Sequence, residues 1–264
     1  MKIELNLSKL KTKNTEPVQY YLPETDILLN DYLDKKITIK FLNELNCAKC
    51  GRKTNKLYGE GFCYHCFLTA PEADSCVVKP ELCQAHIGIS RDMEWSKTHC
   101  LVDHYVYLAI TDKVKVGVTR YSQIPTRWID QGAIKAIKIA KTPYRQLAGE
   151  IEVNLKKVFS DKTNWQKMLT NSYEEADLYE ERKKVVMNLA PYLKKYLIYD
   201  NTIYEFSYPI TSPPSNIQST SLEKTPQIKG ILTGIKGQYL IFDNSIAFNI
   251  RRHTGYKVSI EIEN

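Results

Sequence analysis

The chain of 264 residues is long enough to form one to three domains around a substantial buried core. Its hydrophobic content of 43% and charged content of 25% exclude global disorder, and no membrane-spanning segment is expected because no long apolar run occurs. The net charge of +7 is compatible with nucleic-acid binding but does not establish it, because many basic proteins bind no nucleic acid. The 18 tyrosines suit base stacking and half-buried strands equally well.

Residues 1–45 predict short strands. The segments KIELNLSKL and KITIKFL alternate apolar and polar residues with the period of two that is typical of a half-buried strand. The opening residues contain no apolar segment like that of an export signal, so we expect a cytoplasmic protein with reduced cysteines. A cysteine-rich segment then spans residues 46–101 and predicts a metal-binding module.

Two CxxC pairs form the strongest local motif. Cys47 and Cys50 precede Cys63 and Cys66, and each pair can direct two thiolates at one cation from a tight turn. Four reduced core cysteines would be the alternative, but the surrounding stretch is polar and rich in Gly and Lys. The motif therefore predicts a structural zinc site.

A second, less regular set of metal-ligand residues follows the CxxC pairs. It predicts a second zinc site, with ligands drawn from Cys76, Cys83, His86, His99 and Cys100, and with His104 nearby. The alternative keeps the cysteines as small core residues and the histidines as surface residues.

Residues 102–200 predict an α/β core with a helical extension. The segments YVYLAI and VKVGVT, joined by TDK, predict a β-hairpin with Tyr105 and Tyr107 on one face. Gly117, in the second strand, removes a side chain where another group approaches the backbone closely. PTRWIDQGA then predicts a helix that carries Arg127, because proline is tolerated at a helix start.

Three further helices are predicted downstream. RQLAGEIEVNLKKVF has the apolar periodicity of an amphipathic helix, and it carries Glu152. NWQKML predicts a helix capped by Asp161 or Thr163. YEEADLYEERKKVVMNLAPYLKKYL predicts a longer helix with a kink near Pro191.

The last part of the chain, residues 212–264, predicts a β-module. It begins with a linker rich in Pro, Ser and Thr and continues with short apolar runs separated by glycines. Because these strands are few, we expect the N-terminal strands to join them in one sheet. Arg251, Arg252 and Lys257 lie beside Tyr256 in this module, a combination that suits a nucleic-acid backbone and its bases, although solvated loop charges are the alternative.

The hairpin and the following helices resemble the core of the GIY-YIG nuclease superfamily. Residues 105–107 (YVY) occupy the place of the first name-giving tripeptide, and residues 115–117 (KVG) occupy that of the second, with lysine in place of tyrosine. Arg127 matches the family's arginine. Glu152 matches its metal-binding glutamate, with Glu150 as the alternative.

The resemblance implies a catalytic site for phosphodiester hydrolysis. Tyr107 would take a proton from water if its pKa were lowered by nearby Lys115 or Arg127, and Tyr105 would assist on the same strand face. Arg127 would bind phosphate oxygens, and Glu152 would hold one Mg²⁺ or Mn²⁺. Gln131 departs from the histidine that many members of the superfamily have at this place.

We therefore predict an α+β protein that comprises a zinc-knuckle module, a GIY-YIG-like core and a β-module built from both chain ends. Its predicted function is metal-dependent cleavage of DNA or RNA, with Arg120 and the C-terminal arginines contributing to nucleic-acid binding. Two alternatives stay open: a nucleic-acid-binding protein without cleavage, and a zinc-stapled scaffold for protein partners. The whole sequence also resembles a bacterial family of unknown function, which implies no activity.

Overall fold

A computed structural model describes residues 1–263, which form two compact units. The first unit combines residues 1–68 with the segment from Phe206 onward, and the second comprises residues 69–205. Both units contain strands and helices, so the α+β prediction is confirmed. The first four cysteines of the cysteine-rich segment belong to the first unit, and the last three belong to the second.

The strands are, in chain order, β1 (Lys2–Asn6), β2 (Lys11–Lys13), β3 (Gln19–Tyr21), β4 (Lys36–Asn46), β5 (Lys53–Thr54), β6 (His104–Ile110), β7 (Val114–Arg120), β8 (Lys135–Thr142), β9 (Ile203–Glu205), β10 (Gln218–Thr220), β11 (Gln227–Lys236), β12 (Tyr239–Phe242), β13 (Ile246–Asn249) and β14 (Tyr256–Ile262). The α-helices are α1 (Tyr64–Thr69), α2 (Ser75–Val78), α3 (Met93–His99), α4 (Thr126–Asp130), α5 (Arg145–Leu155), α6 (Trp165–Leu169) and α7 (Leu178–Asn188). Within residues 1–263, none of the helices combines the length and the apolar character that crossing a membrane requires.

The first unit is built on a sheet that joins the two ends of the chain. Its strand order is β1-β14-β4-β11-β12-β13-β10, with β5 attached to β4. The first strand pairs antiparallel with the last along its whole length, from Lys2 opposite Glu261 to Asn6 opposite Lys257. The N-terminal strands β1 and β4 therefore share a sheet with the C-terminal strands, as the small number of C-terminal strands led us to expect, whereas β2 and β3 pair with each other in a separate two-stranded sheet.

The second unit contains a four-stranded sheet with β6 in its interior. The order is β7-β6-β8-β9, and every neighbouring pair is antiparallel. Val106, Leu108 and Ile110 alternate along β6 and face the main apolar core, which α5 and α7 complete with Ile151 and Val185. The tyrosines of β6 consequently face the opposite side of the sheet, as the period of two predicts.

The helices after the sheet are shorter than their sequence patterns. Helix α5 ends at Leu155, and Asn164 caps α6 by accepting hydrogen bonds from two backbone N–H groups, so neither Asp161 nor Thr163 is the cap. Asparagine is among the strongest N-cap residues, and it stands directly before the helix. The long helix predicted around Pro191 is instead α7 followed by a separate 3-10 helix, Pro191–Tyr196, because proline has no N–H to continue the α-helical bonding.

Candidate functional site

The hairpin of β6 and β7 positions Tyr107 at the centre of the second unit. Tyr107 pairs directly with Gly117 across the two strands. A Cβ atom on Gly117 would lie 2.5 Å from the Tyr107 hydroxyl oxygen and 2.7 Å from Cζ, so the tyrosine ring occupies the space that the missing side chain leaves. The close approach expected at this glycine is therefore made by a side chain of the neighbouring strand.

Tyr107 is fully buried, and its hydroxyl donates a hydrogen bond to Oε1 of Gln131 over 3.2 Å. Its ring meets Trp128 edge to face, with ring centroids 5.7 Å apart. Burial raises the pKa of Tyr107, and the opposing influence of Arg127 and Gln131 is smaller. The prediction that nearby cations lower the pKa of Tyr107 is therefore wrong, because the cost of burying a phenolate exceeds the attraction of Arg127.

Three charged residues from separate elements interact electrostatically with one another around this tyrosine. They are Lys115 of β7, Arg127 of α4 and Glu152 of α5. Lys115 is buried and donates a hydrogen bond to Oγ1 of Thr163 over 3.3 Å. Burial, followed by the repulsion of Arg127, lowers the pKa of Lys115 to about 8, although Glu152 opposes the shift. The structure thus brings together four of the five residues predicted for catalysis.

Glu152 lies on the buried face of α5, where burial raises the pKa of its carboxyl group. Its Oε2 is 3.7 Å from Nζ of Lys156, which opposes that shift. Glu81 adds to the shift as a neighbouring carboxylate that the sequence did not single out. A Cβ atom on Gly149 would collide with the backbone of Pro80 and Glu81, so this glycine allows α5 to approach the turn that carries Glu81.

Glu150, the alternative to Glu152, lies elsewhere. Its carboxylate accepts a hydrogen bond from the hydroxyl of Tyr192 over 2.6 Å and another from Gln146 over 3.5 Å. Residues two positions apart in a helix lie on different faces. Of the two glutamates, Glu152 is the one that interacts with Arg127 and Lys115.

Tyr105, the fifth predicted catalytic residue, lines a cavity of about 330 Å³ with Tyr121, Lys138 and Tyr204. Nζ of Lys138 lies 5.3 Å from the centroid of the Tyr105 ring and 5.6 Å from that of Tyr204, and it forms a 2.7 Å ion pair with Asp200. Tyr105 therefore forms part of the wall of a cavity that is lined by three tyrosines and a lysine.

The first cysteine cluster is assembled as the two CxxC pairs predict. The sulfur atoms of Cys47, Cys50, Cys63 and Cys66 all lie within 4.8 Å of one another, and those of Cys50 and Cys63 are 3.9 Å apart. Burial raises the pKa of Cys47, but backbone N–H groups, including those of Cys50 and Cys63, outweigh it and lower the pKa to about 6. Burial and hydrogen bonds with the other cysteines raise the pKa of Cys66 to about 12. The spacing of the four sulfurs is compatible with a structural zinc ion, whose tetrahedral geometry places sulfurs about 3.8 Å apart.

The second cluster consists of Cys76, Cys83 and Cys100, whose sulfur atoms also lie within 4.8 Å of one another. The histidines expected beside them do not join the cluster. The ring of His86 stacks on that of Tyr144 with centroids 4.8 Å apart, and Nδ1 of His99 lies 3.0 Å from the carbonyl oxygen of Trp95. Within residues 1–263, the groups of three or more Cys, His, Asp or Glu whose donor atoms lie this close together are the two cysteine clusters. Glu152 belongs to neither of them.

His104 lies outside the second cluster as well. It is buried at the start of β6, and its Nδ1 lies 2.7 Å from the carbonyl oxygen of Val102. Burial lowers the pKa of His104 to about 4, and the nearby cations Arg145 and Arg120 act in the same direction. This histidine is therefore a neutral buried residue.

The basic residues predicted to bind nucleic acid are mostly engaged with acidic partners or half-buried. Nη2 of Arg251 lies 2.5 Å from Glu60, and Nζ of Lys257 lies 3.6 Å from Glu44, whereas Arg252 is exposed. Glu44 also binds Lys53, which follows the first CxxC pair, so the basic residues of the knuckle and of the C-terminal hairpin share one surface. The surface around Lys53, Glu44 and Lys257 is called the knuckle–hairpin surface.

Arg120 lies apart from that surface, in the second unit. It is half-buried at the end of β7, where burial and then Arg145 lower its pKa. Arg120 therefore interacts electrostatically with Cys100 of the second cysteine cluster and with Arg145 beside it.

Comparison with known proteins gives a family but no activity. Residues 34–258 match the family described as "Protein of unknown function (DUF2797)", and the chain belongs to this family. No curated protein and no solved structure matches the chain. The membership agrees with the whole-sequence resemblance to a family of unknown function, and it assigns no activity.

Proposed function

We propose that this protein processes nucleic acid by metal-dependent hydrolysis of phosphodiester bonds, on a core of the GIY-YIG type. One observation carries the proposal: Tyr107, Lys115, Arg127 and Glu152, which are far apart in sequence, interact at one buried place. Structural ion pairs are usually made by two residues, whereas this group combines a proton acceptor, a phosphate-binding fork and a carboxylate.

Lys115 is the proposed proton acceptor. A pKa of about 8 leaves a fraction of neutral amine near neutral pH, whereas the raised pKa of Tyr107 keeps its hydroxyl protonated. Water attacks phosphorus and transfers a proton to Nζ of Lys115, the bond from phosphorus to the leaving oxygen breaks, and that oxygen takes up a proton from solvent. Arg127 stabilises the charge that develops on the phosphate oxygens, and Tyr107 positions Gln131 and Arg127.

Glu152 is the proposed ligand of one Mg²⁺ or Mn²⁺, which would supply charge stabilisation at a non-bridging phosphate oxygen. Glu81 supports this assignment. Its Oε2 is buried and accepts no hydrogen bond within the part of the chain that the structure describes, so it offers an oxygen to a cation beside Glu152. Two carboxylates are a better cation site than the single one predicted from the sequence.

The test incubates the zinc-loaded protein with end-labelled single-stranded RNA, tRNA and duplex DNA in Mg²⁺ or Mn²⁺. Two matched pairs of variants carry the comparison: Glu152→Gln against Glu150→Gln on the same helix, and Lys115→Met against Lys113→Met on the same hairpin. We expect wild type and both control variants to cleave, and Glu152→Gln and Lys115→Met to lose cleavage. The wild-type rate should rise as pH increases through about 8, because the neutral form of Lys115 accepts the proton.

Binding of nucleic acid without cleavage is the second candidate. The aromatic cavity at Tyr105 and the knuckle–hairpin surface favour it, because stacking and phosphate contacts need no catalytic group. In that case all variants would retard intact nucleic acid equally, and the affinity would fall steeply with salt. Neither cleavage nor retardation on any substrate would contradict both candidates and favour a scaffold for protein partners.

A further inference from the structure

The second cysteine cluster places three sulfur donors close enough together to share one metal ion. Its sulfurs come from three separate short elements: Cys76 in α2, Cys83 after the 3-10 helix Pro80–Leu82, and Cys100 after α3. All three side chains are buried, and their sulfur atoms lie within 4.8 Å of one another. This spacing fits one tetrahedral ion, whose thiolates are about 3.8 Å apart, whereas the sulfurs of an iron–sulfur cluster bind different metal atoms and lie further apart.

The guanidinium of Arg145 favours negative charge at Cys76 and Cys100. Nη1 of the buried Arg145 guanidinium is 3.6 Å from Sγ of Cys76, and its Nη2 donates to the carbonyl oxygen of His99 over 3.2 Å. A divalent zinc ion with three thiolates carries one net negative charge, which a single guanidinium balances. Three uncharged core thiols would leave the buried cation of Arg145 without such a counter-charge.

The fourth tetrahedral position is open to a cavity. Of the histidines near the cluster, His86 is exposed and stacked on Tyr144, and His99 is stacked on Trp95 with centroids 4.0 Å apart. Across residues 1–263, no further Cys, His, Asp or Glu donor lies within 4.8 Å of all three sulfurs. The three cysteines instead line a cavity of about 300 Å³. Apolar side chains, among them Leu82, Ile89 and Trp95, form one part of its wall, and polar ones, including Asp74 and Arg91, form the rest.

We propose that Cys76, Cys83 and Cys100 hold a zinc ion whose fourth ligand is a water molecule that a small thiol replaces. A zinc site with three protein ligands and an exchangeable fourth ligand is the arrangement of ligand-binding and catalytic zinc, in contrast to the closed tetrad of the first cluster. Thiolate ligands favour a further soft sulfur donor, and the apolar part of the wall suits the carbon skeleton of a small organic thiol. On binding, the thiol loses its proton to solvent and its sulfur displaces the water.

The test uses the full chain with both sites loaded with Co²⁺, whose absorption reports its ligands, and 2-mercaptoethanol as the probe. Metal analysis should find two ions per chain, one for each cluster. The four sulfurs of the first cluster and the three of the second make seven cobalt–sulfur bonds, and the thiol should add an eighth, seen as increased sulfur-to-cobalt charge-transfer absorption.

Matched variants assign the response to the second cluster. Cys83→Ser should lose one ion and the thiol response, whereas Cys63→Ser should lose one ion and keep the response. Ile89→Trp, at a residue that is 57% exposed and lines the cavity, should keep both ions and raise the Kd for the thiol about tenfold. This variant leaves the ligands untouched, so the test does not depend on the folding of a cysteine variant.

Three results would overturn the proposal. A single ion per chain would mean that the second cluster binds no metal. Two ions with a spectrum that the thiol leaves unchanged would mean that the second site is closed. A changed cobalt spectrum in His99→Gln before any thiol is added would identify His99 as the fourth ligand. None of these results bears on the cleavage test, because the two sites use different residues.

Discussion

Replacing Gly117 with alanine tests whether the hairpin is built around the buried ring of Tyr107. The new Cβ atom would lie 2.5 Å from the Tyr107 hydroxyl oxygen, and ordinary contact begins at 3.4 Å, so the ring must retreat by about 0.9 Å. The ring is fully buried against Trp128 and cannot retreat freely. Overpacking of this kind costs about 1–3 kcal/mol, and alanine recovers about 0.5–1 kcal/mol of backbone entropy, so the variant should be destabilised by about 1–2 kcal/mol.

The three tryptophans of the chain are Trp95, Trp128 and Trp165, and all belong to the second unit. Denaturant unfolding followed by tryptophan fluorescence therefore reports on the unfolding of this unit. Cleavage or nucleic-acid retardation, measured alongside, should fall with the displacement of Tyr107, because its hydroxyl bond to Gln131 is lost.

A double-mutant cycle identifies the clash as the cause. Tyr107→Leu removes the part of the ring that the new Cβ would meet, so Gly117→Ala should cost nothing, or stabilise slightly, in the Tyr107→Leu background. An equal loss of stability in both backgrounds would refute the reasoning, and so would a single variant that is as stable as wild type.

Three further predictions concern the same molecule. Burial lowers the pKa of Lys115 from 10.5 to about 8, so the unfolded chain binds this proton more tightly than the folded chain does. The free energy of unfolding of the second unit should therefore rise by roughly 2 kcal/mol between pH 7 and pH 9.5. Lys115→Met should lack this rise in tryptophan-monitored titrations; an unchanged slope would contradict the assignment. Cys50→Ser, at the exposed cysteine of the first cluster, should release one zinc ion per chain in metal analysis and lower the melting temperature measured by circular dichroism. Unchanged metal content would exclude Cys50 as a ligand. Gly149→Ala should lower the free energy of unfolding by about 1–3 kcal/mol, because its Cβ atom would collide with the backbone of Pro80 and Glu81. Alanine normally stabilises a helix, so a stabilised variant in the same assay would show that the Pro80–Glu81 backbone moves away at little cost.

Features that depend on neighbours in the chain were predictable from the sequence. The two CxxC pairs indicated one four-cysteine site, because each pair brings its own two sulfurs together. The period of two in β6 assigned Tyr105 and Tyr107 to the face opposite the apolar core, because successive side chains of a strand alternate. The small number of C-terminal strands indicated that N-terminal strands complete their sheet, and β1 and β4 do so.

Features that depend on packing between distant segments were decided only by the tertiary structure. The sequence offered His86 and His99 as zinc ligands by proximity along the chain, yet their rings stack on aromatic side chains instead. It gave no signal for Glu81, which reaches Glu152 because Gly149 allows two backbones to approach. The pKa of Tyr107 likewise follows from its burial, which no spacing of residues reveals. Local spacing determines which donors can share a turn, but solvent exclusion and long-range contacts determine which of them are charged, free to bind, or enclosed in the core.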